Sequence, residues 1–196
     1  MQRIFQRFHQ PTATGSRGCR CGALWAVATF SSRNISVAVV PAARQDIWEV
    51  LADAETLAAL TPLVTAIDAA GDVWTWHLRG ISALGVSVTP TFTEQMTFVA
   101  PGEIRFRHQP PAGTNERAGA EGVYTLEEVD DDHTKLSVDI TLCVELPLPR
   151  LARGAVQSTM AAMMQRTGGR FAANLYTRLS IDPASVATPT STTLAG

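Results

Sequence analysis

Charge is scarce in this chain, and no excess of basic residues compensates. Charged residues make up 17% of the 196 positions and the formal net charge is −2, so the composition offers no electrostatic footprint for nucleic acid. Three cysteines, Cys19, Cys21 and Cys143, are too few and too widely split for a disulfide framework, which suits a reducing, cytoplasmic setting. Cys19-Arg20-Cys21 falls short of the roughly four ligands a structural zinc site needs. His9, His77, His108 and His133 show no metal-ligand spacing, so no metal is expected, and nothing points to a cofactor. The chain has no GxGxxG, no P-loop and no HExxH, and no serine in a GxSxG elbow. No stretch approaches ~18 consecutive apolar residues without charge, which excludes an integral membrane helix. No internal repeat is visible. The length suits one domain with a proper core, as a monomer or homodimer.

Acidic residues are missing altogether from residues 1–33, which hold Arg3, Arg7, Arg17, Arg20 and Arg33. That composition fits either a disordered tail or a targeting segment for a mitochondrion or plastid. Asn34-Ile35-Ser36 matches the glycosylation pattern, with nothing else to suggest secretion. The folded domain is therefore expected over 34–181, and residues 182–196 as a second disordered tail.

What the chain does have is one long helical pattern near its end. Pro147 and Pro149 precede it and Asp182-Pro183 closes it, since proline is tolerated before a helix and disfavours helical backbone in the residue ahead of it. From Leu151 to Leu179 it would reach about 43 Å. Val156, Met160, Met163, Met164, Phe171 and Leu175 share one stripe, and Ala155, Ala162, Gln165, Gly169 and Ala173 take the opposite side. Such a helix needs a concave apolar partner of similar length. Methionines on its stripe serve either as core filler or as an adaptable wall facing a ligand.

The preceding residues supply that partner. Ile35–Val40 reads as a first strand ending at Pro41. Two short helices follow, over 42–53 and 54–60, the first on Ile47, Trp48, Val50 and Leu51. From Val64 the period becomes two. Trp74, Trp76 and Leu78 share one face, and Val86–Val99 reads as one long strand with Phe92, Glu94, Met96 and Phe98 on one parity. Ile104, Phe106 and His108 face in on the next strand, and Tyr124 and Leu126 on the one after. Leu136, Val138, Ile140, Leu142, Val144 and Leu146 alternate strictly on the last. One-sided alternation is the pattern of an antiparallel sheet with one wet face.

Three residues on the inward parity are polar where a plain core would be apolar: Glu94, His108 and Tyr124. A buried carboxylate is costly unless it is paired or protonated, so Glu94 needs a cation, a hydroxyl, water or a shifted pKa. Arg170, flanking the helix stripe, and His108 are the candidate partners, and Glu94 with His108 would make an acid/base pair. A β-bulge near Pro90 would instead turn Glu94 outward, and His108, near its strand end, has the separate alternative of a solvated rim residue.

The stretch Ser36-Val-Ala-Val-Val-Pro-Ala-Ala-Arg-Gln-Asp-Ile-Trp-Glu-Val-Leu-Ala-Asp53, with Gly122-Val-Tyr-Thr-Leu126 and the final helix, resembles the START-like superfamily, also called SRPBCC or Bet v 1-like. The likeness runs over about residues 34–180 and is nearest to the polyketide cyclase/dehydrase and coenzyme Q-binding branch. It implies an α+β helix-grip fold: a curved antiparallel sheet wrapped around the C-terminal helix, two short helices after the first strand, and an apolar cavity between sheet and helix. It also implies a hydrophobic small molecule such as a lipid, quinone or polyketide, and carries over no catalytic residue. The expected cavity, in the range of hundreds of Å3, is lined by Trp74, Trp76, Phe92, Met96, Phe106, Tyr124, Met160, Met163 and Phe171, with Glu94, His108 and Arg170 orienting the polar end. Two other readings stand beside ligand binding. One is a cyclase- or dehydrase-like enzyme using Glu94 and His108, and the other is an interaction or assembly module.

Overall fold

The computed structural model describes residues 27–83, 85–186 and 190–195. The fold begins with a long strand, β1 (Ala28–Val40), followed by α1 (Arg44–Ala52) and α2 (Ala54–Leu60). Strands β2 (Val64–Ala70), β3 (Val73–Leu78), β4 (Ile81–Ala83), β5 (Val86–Val88), β6 (Thr91–Val99), β7 (Glu103–His108), β8 (Ala118–Asp130) and β9 (His133–Leu146) come next. Helix α3 (Arg153–Arg178), entered through a 3-10 turn at Arg150–Ala152, is followed by β10 (Thr190–Ala195). Eight strands form one antiparallel sheet in the order β10-β1-β9-β8-β7-β6-β3-β2, and β4 with β5 makes a separate hairpin.

Each element has a local cause. Asp53 ends α1 and starts α2, its carboxylate accepting the Thr56 backbone N–H at 2.8 Å, the usual N-cap bond. The expected strand Val86–Val99 breaks into β5 and β6 at Thr89-Pro90, because proline has no N–H to give to a ladder. The alternation survives that break. Phe92, Glu94 and Met96 are buried on the inner face, paired in register with Trp76, Trp74 and, across β7, Phe106. The β9 residues Leu136, Val138, Ile140, Leu142 and Val144 all pack into the core, as strict alternation predicts.

Strand β8 lies close to its neighbours at Gly122. A Cβ on Gly122 would stand 2.1 Å from the Asp139 carbonyl oxygen and 2.8 Å from the Phe106 ring, so only glycine fits. In the core, Trp48 of α1 meets Phe98 edge to face at 6.3 Å, and the Thr134 hydroxyl, fully buried, donates to the Ala42 carbonyl at 2.8 Å.

Helix α3 crosses the sheet and is held at both ends. Val156 and Met160 bury against Ala28 and Phe30 of β1. Leu175 and Tyr176 join the main core, and Asn174 donates to the Leu60 carbonyl at the end of α2 at 2.9 Å. Met163, Met164 and Phe171 are half-buried, whereas Ala155, Ala162, Gln165, Gly169 and Ala173 are exposed, so the anticipated stripe and its back are both present.

Two boundaries differ from the sequence reading. The first strand starts at Ala28, so residues 28–33 belong to the sheet rather than to a tail. Within 182–196, Thr190–Ala195 pairs antiparallel along Ser32–Val37 of β1. Both segments are weakly alternating by themselves, and pairing with a long strand supplies the order that local pattern does not. The targeting-segment reading of residues 1–26 lies outside the described residues. No described helix is long and apolar enough to cross a membrane.

Candidate ligand site

The apolar cavity lies between the first half of α3 and the ends of β6, β8 and β9, with a volume of about 100 Å3. Helix α3 contributes Val156, Thr159, Met160 and Met163, and the sheet contributes Leu78, Phe92, Ala118, Leu142, Val144 and Leu146. Val88 and Pro90, at the β5–β6 break, and Cys143 complete the wall. Burial first, and the Glu121 charge second, push the Cys143 thiol pKa upward, which disfavours a thiolate nucleophile there.

Of the anticipated lining residues, Phe92, Met160 and Met163 stand on this wall. Trp74, Trp76, Met96, Phe106 and Tyr124 do not. They fill the space further along the same concave face, packed with Phe171 into the main core. Trp76 stacks on Phe92 at 6.3 Å, and Phe106 lies 5.3 Å from Tyr124. The aromatic rings thus occupy the volume that the sequence reading assigned to a ligand, and the cavity is smaller than anticipated and displaced toward the start of α3. The β8 and β9 wall was missed because Ala118, Leu142 and Val144 look like ordinary sheet core. Only the crossing of α3 makes them face a gap.

Glu94 is 2% exposed and sits one inward position beyond Phe92, which lines the cavity. Its Oε2 has no hydrogen-bond partner, and neither does the nearby Trp76 indole N–H. Burial raises the Glu94 pKa to about 8, with the Trp76 N–H pulling weakly the other way without closing a bond. The carboxyl is therefore protonated at neutral pH. Tyr124 stands within its electrostatic reach. Burial, then the Glu94 charge, raise the phenol pKa, so the hydroxyl is also neutral.

The two other anticipated polar groups are engaged or turned away. His108 is the register partner of Glu94, yet its Nε2 lies 2.9 Å from Glu116 Oε2. Glu116 also accepts the Thr93 backbone N–H at 2.7 Å and the Thr93 hydroxyl at 2.8 Å. Burial raises the Glu116 pKa, but these bonds and the His108 imidazole outweigh it and hold the carboxyl below its ordinary value. An ionised carboxylate only accepts, so His108 Nε2 carries the proton. The imidazole also lies against Gly119, where a Cβ would stand 2.3 Å from the ring. Glu116, in the loop before β8, was not anticipated. A loop carboxylate carries no periodic signal, and only the end of β7 brings it against Thr93. Arg170 is exposed. Hence the buried polar pair on this face is Glu94 and Trp76, with the half-buried Tyr124 within electrostatic reach of the carboxyl. No group of metal-ligating side chains occurs among the described residues.

A model of the family described as polyketide cyclase / dehydrase and lipid transport matches residues 33–176. No curated protein matches the chain. Among solved structures, the Zhui aromatase/cyclase from a Streptomyces species superposes with a TM-score of 0.57 at 15% identity, over 79% of this chain and 98% of that one. A conserved protein from Geobacillus kaustophilus gives a TM-score of 0.54 at 16% identity, over 76% and 95%. A START superfamily protein from Mycobacterium smegmatis gives 0.50 at 17%, over 71% and 97%. At such low identity these likenesses speak to the fold alone, and the fold is the helix grip.

Proposed function

From the premise that the chain belongs to the polyketide cyclase / dehydrase and lipid transport family, we propose that it binds a hydrophobic small molecule, of lipid, quinone or polyketide character, beneath the first half of α3. The observation that carries this reading is the cavity wall itself: Leu78, Phe92, Leu142, Val144, Val156, Met160 and Met163 enclose a gap of about 100 Å3 with almost no polar lining. An apolar void of this kind stays dry, and an apolar guest gains what water does not. The void admits only part of a lipid or polycyclic ligand. The rest is accommodated by Met160 and Met163, whose unbranched side chains re-pack at small cost, and by the half-buried outer end near Val88.

Native mass spectrometry of the purified chain, with organic extraction of any companion, tests this directly. A defined small molecule is expected, and Met163→Trp, which fills the gap from the helix side, should exclude it. Retention of the same molecule by Met163→Trp would sink the reading.

A second reading, a cyclase- or dehydrase-like enzyme, is favoured by one observation: a protonated carboxyl at Glu94 and a neutral phenol at Tyr124 lie within electrostatic reach of one another. Both are donors at neutral pH, suited to polarising a carbonyl. His108 is committed to Glu116, so on this reading Glu94 and Tyr124 do the work. Glu94→Gln and Tyr124→Phe that keep the extracted ligand but stop its conversion would identify turnover.

A further inference from the structure

We infer that the outer side of α3, with Leu151 at its approach, docks on an anionic lipid surface. From Leu146 to Ile181 the chain contains no aspartate or glutamate, and every charged residue there is an arginine: Arg150, Arg153, Arg166, Arg170 and Arg178. In the whole chain acidic residues outnumber basic ones, 18 to 16, so this segment is positive against a negative remainder. Arg166 and Arg170 lie one helical turn apart and are exposed, as is Arg178. Between these arginines and the helix start, the exposed side carries only small or uncharged residues such as Ala155, Ser158 and Ala162, which lets the rod lie close to a flat surface.

Charge alone would suit any polyanion. Leu151 selects the lipid. Its side chain is 98% exposed, in the turn that leads into α3. Leu146 before it and Val156 after it both line the apolar cavity, whereas Leu151 itself stands in solvent. A leucine beside an arginine-only helix offers what an anionic bilayer rewards: apolar burial below the headgroups and cations among them. A nucleic acid or other soluble polyanion would use the arginines and leave the leucine in water. The inference concerns the outer surface, and it stands or falls separately from whether the cavity holds a ligand.

The test is co-sedimentation of the full chain with phosphatidylcholine vesicles and with vesicles containing about one-third phosphatidylserine. Binding is expected on the anionic vesicles only, and raising the salt well above physiological strength should release it. Arg166→Gln with Arg170→Gln should weaken the partition about fivefold per arginine, and Leu151→Ser at least about tenfold, each variant keeping the wild-type circular dichroism spectrum and melting temperature. Equal binding to both vesicle types, binding to neither, or anionic binding untouched by either set of substitutions would overturn the inference. So would retention on immobilised heparin as strong as on vesicles and indifferent to Leu151→Ser, which would mark a soluble polyanion as the partner instead.

Discussion

Glu94 makes the folded chain sensitive to pH in a direction opposite to that of most carboxylates. Its pKa rises from 4.5 to about 8 on folding, chiefly by burial. Between those values the unfolded chain releases the proton and the folded chain keeps it. The folded state then binds more protons than the unfolded one, so stability falls as pH rises through that window. Each unit of difference is worth about 1.4 kcal/mol. From about pH 5 to about pH 7.5 the wild type should lose about 3 kcal/mol through this one group. Glu94→Gln keeps the shape, cannot ionise, and removes that slope. The assay is urea unfolding of wild type and Glu94→Gln across this range. With a slope of ~2 kcal/mol per molar urea, the two midpoints should diverge by about 1.5 M between the ends, the variant being favoured at the higher pH. Every other titrating group cancels in the difference. Parallel midpoint curves would refute the reasoning, since they would mean that Glu94 is solvated or partnered in the folded chain.

Two further substitutions probe the frame around the site. Gly122→Ala should cost about 3 kcal/mol, because its Cβ would fall 2.1 Å from the Asp139 carbonyl. An unchanged melting temperature would show that β8 and β9 do not approach as closely there. Glu116→Gln should cost about 2 kcal/mol at neutral pH by removing the charge from the bonds to Thr93 and His108. The Glu116 pKa is depressed on folding, so this contribution is present above the ordinary glutamate pKa of about 4.3 and is lost as pH falls through the lower folded value. Denaturant unfolding of the pair at neutral and acid pH checks this, and a gap that persists in acid would argue against an ionised Glu116.

Periodicity determined the architecture. The period of two through β3, β6, β7 and β9 chose one face of each strand, and Glu94 followed its neighbours inward although a carboxylate gains nothing there. The spacing of Val156, Met160 and Leu175 likewise chose the face of α3. These choices were legible because each depends on residues a few positions apart. The split at Pro90 was half legible, as a risk of irregularity rather than as two strands.

Tertiary structure decided what local pattern could not reach. The fate of His108 depends on Glu116, which meets it only because β7 ends and a loop folds back. The cavity depends on where a straight helix crosses a bent sheet, and that crossing left the gap against Leu142, Val144 and Ala118 while Trp74, Trp76 and Tyr124 filled the other end. Alternation tells each side chain which way to face, whereas the distance to what it faces is set by elements far apart in the chain.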